Sequence, residues 1–239
     1  MILKCDAITK CFGNLKAIDN LSFTVNQGEV FGIAGPNGSG KTTLFNVITG
    51  IYPFSGKIEF EGRAIHGLRT HKICHRGIAR TFQIPQLALS LSVYDNIRAA
   101  ANFGADLGKR KANAVIKEVI DFVELGDRLQ VTGSNLKLLD KKLTMIAAAL
   151  ATRPRLLLLD EPIAGLNPGE IRKSIELFKR INSQLGVTII IIEHFMKVLT
   201  ELSKRMMVLE NGRLICSGAP AEVMSDPRVI ECYLGDEYA

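Results

Sequence analysis

The stretch that decides the fold is Gly35-Pro36-Asn37-Gly38-Ser39-Gly40-Lys41-Thr42-Thr43. It matches the pattern G-x-x-x-x-G-K-[ST], in which glycines let backbone N–H groups wrap around phosphate oxygens. Residues 20–34, before it, mix β-branched and aromatic side chains around a turn at 26–28, which predicts two strands joined tightly. Residues 42–49 suit a helix that stops at Gly50. The order of strand, glycine loop and helix therefore predicts a phosphate-binding loop.

The residues of this loop indicate how a nucleoside triphosphate would be held. Lys41 is placed to reach the β- and γ-phosphates, and the Thr42 hydroxyl is placed to ligate Mg²⁺. The predicted nucleotide contacts are Gly35, Pro36, Asn37, Gly38, Ser39, Gly40, Lys41, Thr42 and Thr43. An ordinary glycine-rich turn is the alternative, and the flanking strand and helix argue against it.

A second acidic element follows the aliphatic run Leu156–Leu159, which is typical of a strand buried on both faces of a parallel sheet. Asp160 ends this run and is predicted to hold the metal, while Glu161 is predicted to polarise the attacking water. His194 follows the run 187–192 and should emerge at the same edge of the sheet. Taken alone, the acidic pair also fits a solvated turn, and the histidine a structural role.

The order of predicted elements indicates an α/β chain with a mainly parallel sheet and flanking helices. A helical stripe of apolar residues from 171 to 185 lies between the strands at 156–159 and 187–192, which makes a βαβ unit. Residues from about 87 to 150 are predicted to form a helical lobe, with a helix capped by Ser92. Because no repeat or linker divides the sequence, we expect one domain over residues 1–239.

The composition of the chain indicates its cellular location and excludes some classes of partner. The cysteines are odd in number and scattered without a C-x-x-C pair, which predicts reduced thiols at Cys5, Cys11, Cys74, Cys216 and Cys232. No apolar stretch approaches the ~20 residues that span a bilayer, and the N-terminus lacks a secretory pattern, so a cytosolic chain is expected. The formal charge of +6 is dispersed, without the basic and aromatic interleaving of a strand-binding surface. We therefore expect no nucleic-acid partner.

Taken in order, these elements resemble the nucleotide-binding domains of ATP-binding cassette (ABC) transporters over essentially the full chain. The resemblance implies a P-loop NTPase core with N-terminal antiparallel β elements, and ATP with Mg²⁺ as cofactors. It assigns Gly35–Thr42 as the Walker A loop, Leu156–Asp160 as Walker B and Glu161 as the catalytic base.

The same resemblance assigns four further positions. Gln83 corresponds to the Q-loop residue, which serves catalysis and contacts the metal, and His194 to the switch histidine near the γ-phosphate. Ala164–Asn167 corresponds to the D-loop. Phe12 corresponds to the aromatic residue that stacks on adenine, although a core aromatic is the alternative for such a residue.

Four segments look like the ATPases of branched-chain amino-acid importers, namely Arg80–Pro85, Ala164–Pro168, Ile192–His194 and Asp226–Gly235. The last segment also looks like the lipopolysaccharide-export ATPase, so an export ATPase of that type is one alternative and a soluble non-transport ABC ATPase another. The importer resemblance implies a subunit that hydrolyses ATP to power import of branched-chain amino acids or related small polar solutes. It also implies membrane permease subunits as partners and, indirectly, a substrate-binding protein. It also implies a peripheral location on the cytoplasmic face of the inner membrane.

One element departs from the family pattern. The signature Leu-Ser-Gly-Gly-Gln is replaced by Leu136-Lys137-Leu138-Leu139-Asp140. In this family the signature of one subunit closes over ATP held by the Walker A loop of the other. Leu138 and Leu139 obstruct the close backbone approach that glycine permits.

We therefore expect a heterodimer, in which a second ABC ATPase subunit supplies an intact signature. A homodimer that tolerates the variant segment is one alternative. A cassette that binds ATP without hydrolysing it is another, and the retention of Gln83, Glu161 and His194 argues against it.

Overall fold

The structure is a computed structural model that describes residues 1–104 and 109–234. Its strands are β1 (Leu3–Phe12), β2 (Leu15–Val25), β3 (Val30–Ala34), β4 (Ser55–Phe60), β5 (Arg63–Ala64), β6 (Ile78–Arg80), β7 (Leu156–Asp160), β8 (Thr188–Ile192), β9 (Arg205–Glu210) and β10 (Arg213–Gly218). Its α-helices are α1 (Lys41–Ile48), α2 (Thr70–His75), α3 (Val93–Phe103), α4 (Lys109–Val123), α5 (Leu138–Ala151), α6 (Pro168–Leu185), α7 (Met196–Leu202), α8 (Pro220–Ser225) and α9 (Pro227–Leu234). Residues 105–108 of the predicted helical lobe and Gly235 of the predicted tail lie outside the described residues.

The larger sheet has the strand order β10-β9-β3-β8-β7-β6 and is parallel except at its β10 edge, which confirms the mainly parallel prediction. Every residue of β7 and β8 is buried, as their aliphatic runs predict. Between them α6 begins at a capping box formed by Asn167 and Glu170 and ends at Gly186, whose φ of 66° is left-handed. The crossover returns the chain so that β7 and β8 pair directly.

The smaller sheet is antiparallel, with the order β2-β1-β4-β5, as expected for the N-terminal β elements. The tight connection between β2 and β3 is confirmed, since only four residues separate them. The two strands nevertheless lie in different sheets and do not pair. The reason is that β3 is buried along its whole length and takes a position between β8 and β9, where both of its faces are covered.

The region predicted as a helical lobe contains α3, α4 and α5. Ser92 caps α3 as predicted, because its Oγ accepts a hydrogen bond from the Asp95 backbone N–H at 3.0 Å. The apolar stripe of α4 is buried. Helix α2 corrects the prediction, because it lies in a stretch expected to form short strands and loops. Only Ile73 of its six residues is buried, so the sequence shows no helical period there.

The larger sheet separates two hydrophobic clusters, and alternate residues of β7 point into them. Leu157 and Leu159 belong to the cluster shared with α3–α6, whereas Leu156 and Leu158 belong to the cluster shared with α1 and the smaller sheet. This period of two places the last residue, Asp160, at the carboxyl edge of the sheet beside α1. In the part of the chain that the structure describes, no helix is both long and apolar enough to span a bilayer.

Candidate functional site

The loop Gly35–Gly40 connects β3 to α1 at the carboxyl edge of the larger sheet. Gly35 and Gly40 have φ of 143° and 102°, values that side-chain-bearing residues rarely adopt. A Cβ at Gly35 would lie 2.1 Å from the Leu209 carbonyl oxygen, and one at Gly40 would lie 2.4 Å from that of Ala17. Backbone conformation and close packing therefore both require glycine at these positions.

Lys41 folds its side chain back over the loop. Its Nζ donates to the carbonyl oxygens of Gly35 at 2.7 Å and Pro36 at 2.8 Å. Burial lowers the pKa of Lys41, and the negative charges of Glu161 and Asp160 oppose this effect. The loop thus surrounds a buried cation, which is the arrangement that the predicted phosphate contact requires.

Thr42 and Asp160 meet across 118 residues of sequence, with the threonine Oγ1 facing the aspartate Oδ1 at 3.4 Å. Burial raises the pKa of Asp160, and its ion pair with Arg80 opposes this rise. A hydroxyl and a carboxylate are oxygen donors of the kind Mg²⁺ prefers, and adjacent ligands of an octahedral Mg²⁺ lie ~3 Å apart. The residues therefore fit a Mg²⁺ ion shared with nucleotide phosphates.

Glu161, directly after β7, is held from three sides. Gln83 Nε2 donates to its Oε2 at 2.7 Å, and His194 Nε2 lies 2.6 Å from its Oε1. Lys142 Nζ donates to its backbone oxygen at 3.2 Å. The backbone φ of Glu161 is 45°, an uncommon value outside glycine that often accompanies functional sites. The structure thus brings together Gln83, Glu161 and His194, the three predicted catalytic residues.

Phe12, the predicted adenine-stacking residue, lies at the end of β1 in the hairpin that leads to β2. Its ring meets the Tyr52 ring edge-on, with centroids 5.2 Å apart, and Lys10 Nζ lies 4.7 Å from its centroid. The side chain is 44% exposed, so this aromatic is not part of the core. The hairpin tip at Asn14 and Leu15 lines the same cleft as loop residues Pro36 and Asn37.

Several residues of the site were missed by sequence reasoning. Arg80 pairs with Asp160, with Nη2 2.7 Å from Oδ2. Tyr233, on α9, accepts a hydrogen bond at its Oη from the Gly35 backbone N–H at 2.7 Å. Arg80 lies three positions before Gln83, in a segment already singled out, whereas no local pattern indicates the contact of Tyr233 with the loop.

The variant signature segment forms the start of α5. Lys137 is the N-cap residue and makes no side-chain cap hydrogen bond, and Leu138 is 39% exposed. The Leu138 side chain lies against Gly165 of the predicted D-loop, where an added Cβ would be 3.0 Å from its Cδ2. Asp140 faces Arg128 at 3.5 Å. An apolar side chain thus stands where the family pattern has a glycine.

Comparison with known proteins gives consistent matches over the chain. Residues 18–164 match the family described as ABC transporter, and residues 213–239 match the one described as branched-chain amino acid ATP-binding cassette transporter. The chain is 35% identical to the high-affinity branched-chain amino acid transport ATP-binding protein BraF of Pseudomonas aeruginosa, and the match covers 98% of each. It is 33% identical to the corresponding protein LivG of Salmonella typhimurium, again over 98% of each.

Solved structures agree with these matches. The ADP conformation of MJ1267, an ATP-binding cassette of an ABC transporter, superposes with a TM-score of 0.88 at 33% identity, covering 98% of both chains. The structure of cbiO1 from Clostridium perfringens, part of the ABC transporter complex cbiONQ, gives a TM-score of 0.84 at 30% identity. That match covers 96% of this chain and 93% of cbiO1.

Proposed function

The chain belongs to the ABC transporter family of ATP-binding proteins, and we propose that it powers an importer of branched-chain amino acids. Membership makes it an ATPase that drives transport, and we propose that residues 1–239 act as one nucleotide-binding domain. The observation that carries the importer assignment is similarity over 98% of the chain to branched-chain amino acid transport ATP-binding proteins. The comparisons lend no support to lipopolysaccharide export or to a soluble non-transport ATPase.

ATP binding is assigned to the loop between β3 and α1 and to the β1–β2 hairpin. The loop supplies backbone N–H groups and Lys41 for the phosphates, and the N-terminus of α1 adds a favourable dipole. Phe12 stacks on the adenine ring, which its 44% exposure permits. Thr42, Asp160 and Gln83 would hold Mg²⁺, which would neutralise charge on the phosphates when bound.

Hydrolysis is assigned to Glu161, which orients and polarises the attacking water. Gln83 and His194 each contact one of its carboxylate oxygens, so the side chain is held in one orientation. A fixed carboxylate supplies charge stabilisation without reorganisation during the reaction. We also assign to His194, which contacts Glu161 Oε1, the γ-phosphate contact of the switch histidine.

Replacing Glu161 with Gln tests this assignment. The amide cannot accept a proton, so turnover should fall by about 10²-fold or more while ATP binding persists. The matched control is Glu176→Gln, since that side chain is 69% exposed on α6. Turnover and ATP affinity should be measured for both variants. Unchanged turnover in Glu161→Gln would show that another group is the base.

The working unit is proposed to be a heterodimer with a second ABC ATPase subunit. This chain supplies a complete nucleotide-holding half, with Glu161 contacted by Gln83 and His194. Its own signature segment presents Leu138 in place of a glycine, and the Leu138 side chain lies against Gly165. The partner therefore supplies the intact signature that closes over ATP bound here.

ATPase turnover of the purified chain alone, and of the chain mixed with a candidate second subunit, separates the two assemblies. A heterodimer predicts low turnover alone and strong stimulation by the partner. Restoring the family pattern with Lys137→Ser, Leu138→Gly and Leu139→Gly should raise turnover of the chain alone by about tenfold. The control Lys137→Ser keeps both leucines and should not. Robust cooperative hydrolysis by the unaltered chain would establish a homodimer.

The transported substrate is tested by reconstitution with permease subunits and a substrate-binding protein in proteoliposomes. Binding protein loaded with leucine, isoleucine or valine should stimulate ATP hydrolysis and drive uptake. Peripheral attachment to the cytoplasmic face through the permeases predicts release of this chain by alkaline wash. Stimulation by lipopolysaccharide with no response to branched-chain amino acids would reverse the importer assignment.

A further inference from the structure

Arg80 is a buried cation beside the proposed metal-binding carboxylate. Its side chain is 5% exposed, and its Nη2 donates to Asp160 Oδ2 at 2.7 Å. Its Nη1 donates to Asn46 Oδ1 at 2.5 Å. The guanidinium carbon lies 5.4 Å from the Phe45 ring centroid and 4.8 Å from that of Phe82. Two hydrogen bonds and two ring contacts therefore fix a side chain that is otherwise rich in rotamers.

The two carboxylate oxygens of Asp160 have different partners. Oδ2 is held by Arg80, and Oδ1 faces the Thr42 hydroxyl at 3.4 Å. Rotation of the carboxylate would exchange the two oxygens. The arginine fork is planar, permanently charged and anchored at its other end, so it resists that rotation. The Asp160 side chain is 2% exposed, which leaves little water to take the place of the guanidinium.

Arg80 also connects three parts of the site. Its backbone lies in β6 opposite Leu158 of β7, and its bond to Asn46 reaches α1, which begins at the phosphate loop. Three residues later Gln83 donates to Glu161. The short segment 80–83 thus holds both consecutive acids, one through a guanidinium and the other through an amide.

We propose that Arg80 is a positioning residue for magnesium binding, which holds Asp160 so that Oδ1 is presented beside Thr42. The proposal rests on the proposed function, because it takes Asp160 and Thr42 as ligands of the ion that accompanies the nucleotide.

ADP binding measured by calorimetry with and without Mg²⁺ tests this role without any turnover. Arg80→Gln should reduce the gain in ADP affinity from Mg²⁺ by about tenfold, as is typical when a group that orients a metal ligand is lost. Its ADP affinity without Mg²⁺ should stay at the wild-type value. Arg80→Lys should recover part of the gain, because it restores the charge without the fork.

Arg205→Gln is the matched control. Arg205 Nη1 lies 3.4 Å from Glu29 Oε1, and its guanidinium lies 5.2 Å from the Phe31 ring centroid. It therefore has the same kinds of neighbours as Arg80 but sits near the start of β3, away from the phosphate loop. Its Mg²⁺ dependence should match that of the wild-type chain.

The results of these measurements distinguish failure of the positioning role of Arg80 from failure of the proposed function. If Arg80→Gln has the same Mg²⁺ dependence of ADP affinity as the wild-type chain, the positioning role is refuted. An equal loss of ADP affinity with and without Mg²⁺ also refutes it, because that result indicates a general structural effect. If Arg80→Gln does not fold, Asn46→Ala removes only the far anchor and should lower the Mg²⁺ gain by about threefold. Unchanged Mg²⁺ dependence in both Asn46→Ala and Arg80→Lys then overturns the proposal. Failure of the wild-type chain to bind ADP would instead contradict the proposed function.

Discussion

Replacing Glu193 with Gln should change how the stability of the fold depends on pH. Glu193 follows β8 and is 2% exposed, and its Oε1 accepts a hydrogen bond from the Ile163 backbone N–H at 3.1 Å. Burial is the main cause that raises its pKa from 4.5 to about 7, against the opposing effects of its hydrogen bonds and of Lys142. The folded chain therefore keeps a proton on Glu193 at pH values where the unfolded chain has lost it.

The sign and size of the effect follow from linkage between proton binding and folding. Between pH 4.5 and about 7 the folded state binds more protons at Glu193 than the unfolded state, so this residue lowers stability as pH rises. At pH 8 the accumulated loss is about 3 kcal/mol, since each pKa unit corresponds to about 1.4 kcal/mol. Glutamine keeps the acceptor for Ile163 and has no proton to lose. Glu193→Gln should thus match the wild-type chain near pH 4.5 and exceed its stability at pH 8.

Denaturant unfolding at several pH values between 4.5 and 8.5 measures this difference directly. The free energy of unfolding of the variant minus that of the wild-type chain should rise with pH and level off above pH ~7.5. Glu176→Gln, on the exposed face of α6, should give no such rise. If the wild-type and Glu193→Gln curves run parallel, the buried carboxyl is not the group that retains the proton.

Three further changes test other parts of the site. Tyr233→Phe removes the acceptor for the Gly35 N–H. It should weaken ADP binding about fivefold, because such a hydrogen bond contributes about 1 kcal/mol. An unchanged ADP affinity in calorimetry would contradict this prediction. Gly35→Ala should lower the free energy of unfolding by about 2 kcal/mol or more, whereas Gly126→Ala, with open space around its Cβ, should not. Phe12→Ala should weaken ADP binding at least about fivefold, whereas Phe12→Tyr, which keeps an aromatic ring, should weaken it much less. Equal ADP affinities of the two variants would argue against stacking of Phe12 on adenine.

The parts of the fold that were predictable are those whose sequence signal is local. The runs that form β7 and β8 are aliphatic throughout because both faces of each strand are covered. The glycine loop is equally local, since its conformation is required residue by residue. The smaller sheet is harder to detect because β1 has register shifts and a positive φ at Ala7, which interrupt the alternation of buried and exposed residues.

The parts that were not predictable depend on contacts between distant segments. Arg80 and Asp160 are 80 residues apart, and Tyr233 and Gly35 are 198 apart, so no spacing rule indicates either pair. Arg80 meets Asp160 because the parallel strands β6 and β7 bring their carboxyl ends to one edge, whereas Tyr233 reaches the loop at that edge from helix α9. Sequence patterns located that edge through the phosphate loop and the two acids. They could not identify which neighbouring side chains hold those groups in place.

The proposed heterodimer depends both on contacts made within this chain and on contacts made with the second subunit. The proposed metal-binding Asp160 and the proposed base Glu161 are both anchored within this chain, Asp160 by Arg80 and Glu161 by Gln83 and His194. The variant segment Leu136–Asp140, which in the proposed heterodimer would act on the other subunit's nucleotide, lacks the two glycines of the family signature. In that assembly the change would leave ATP binding in this chain unaffected and would weaken only the reciprocal site. Two identical copies would carry the defect twice, whereas an unlike partner with an intact signature would close one fully competent site.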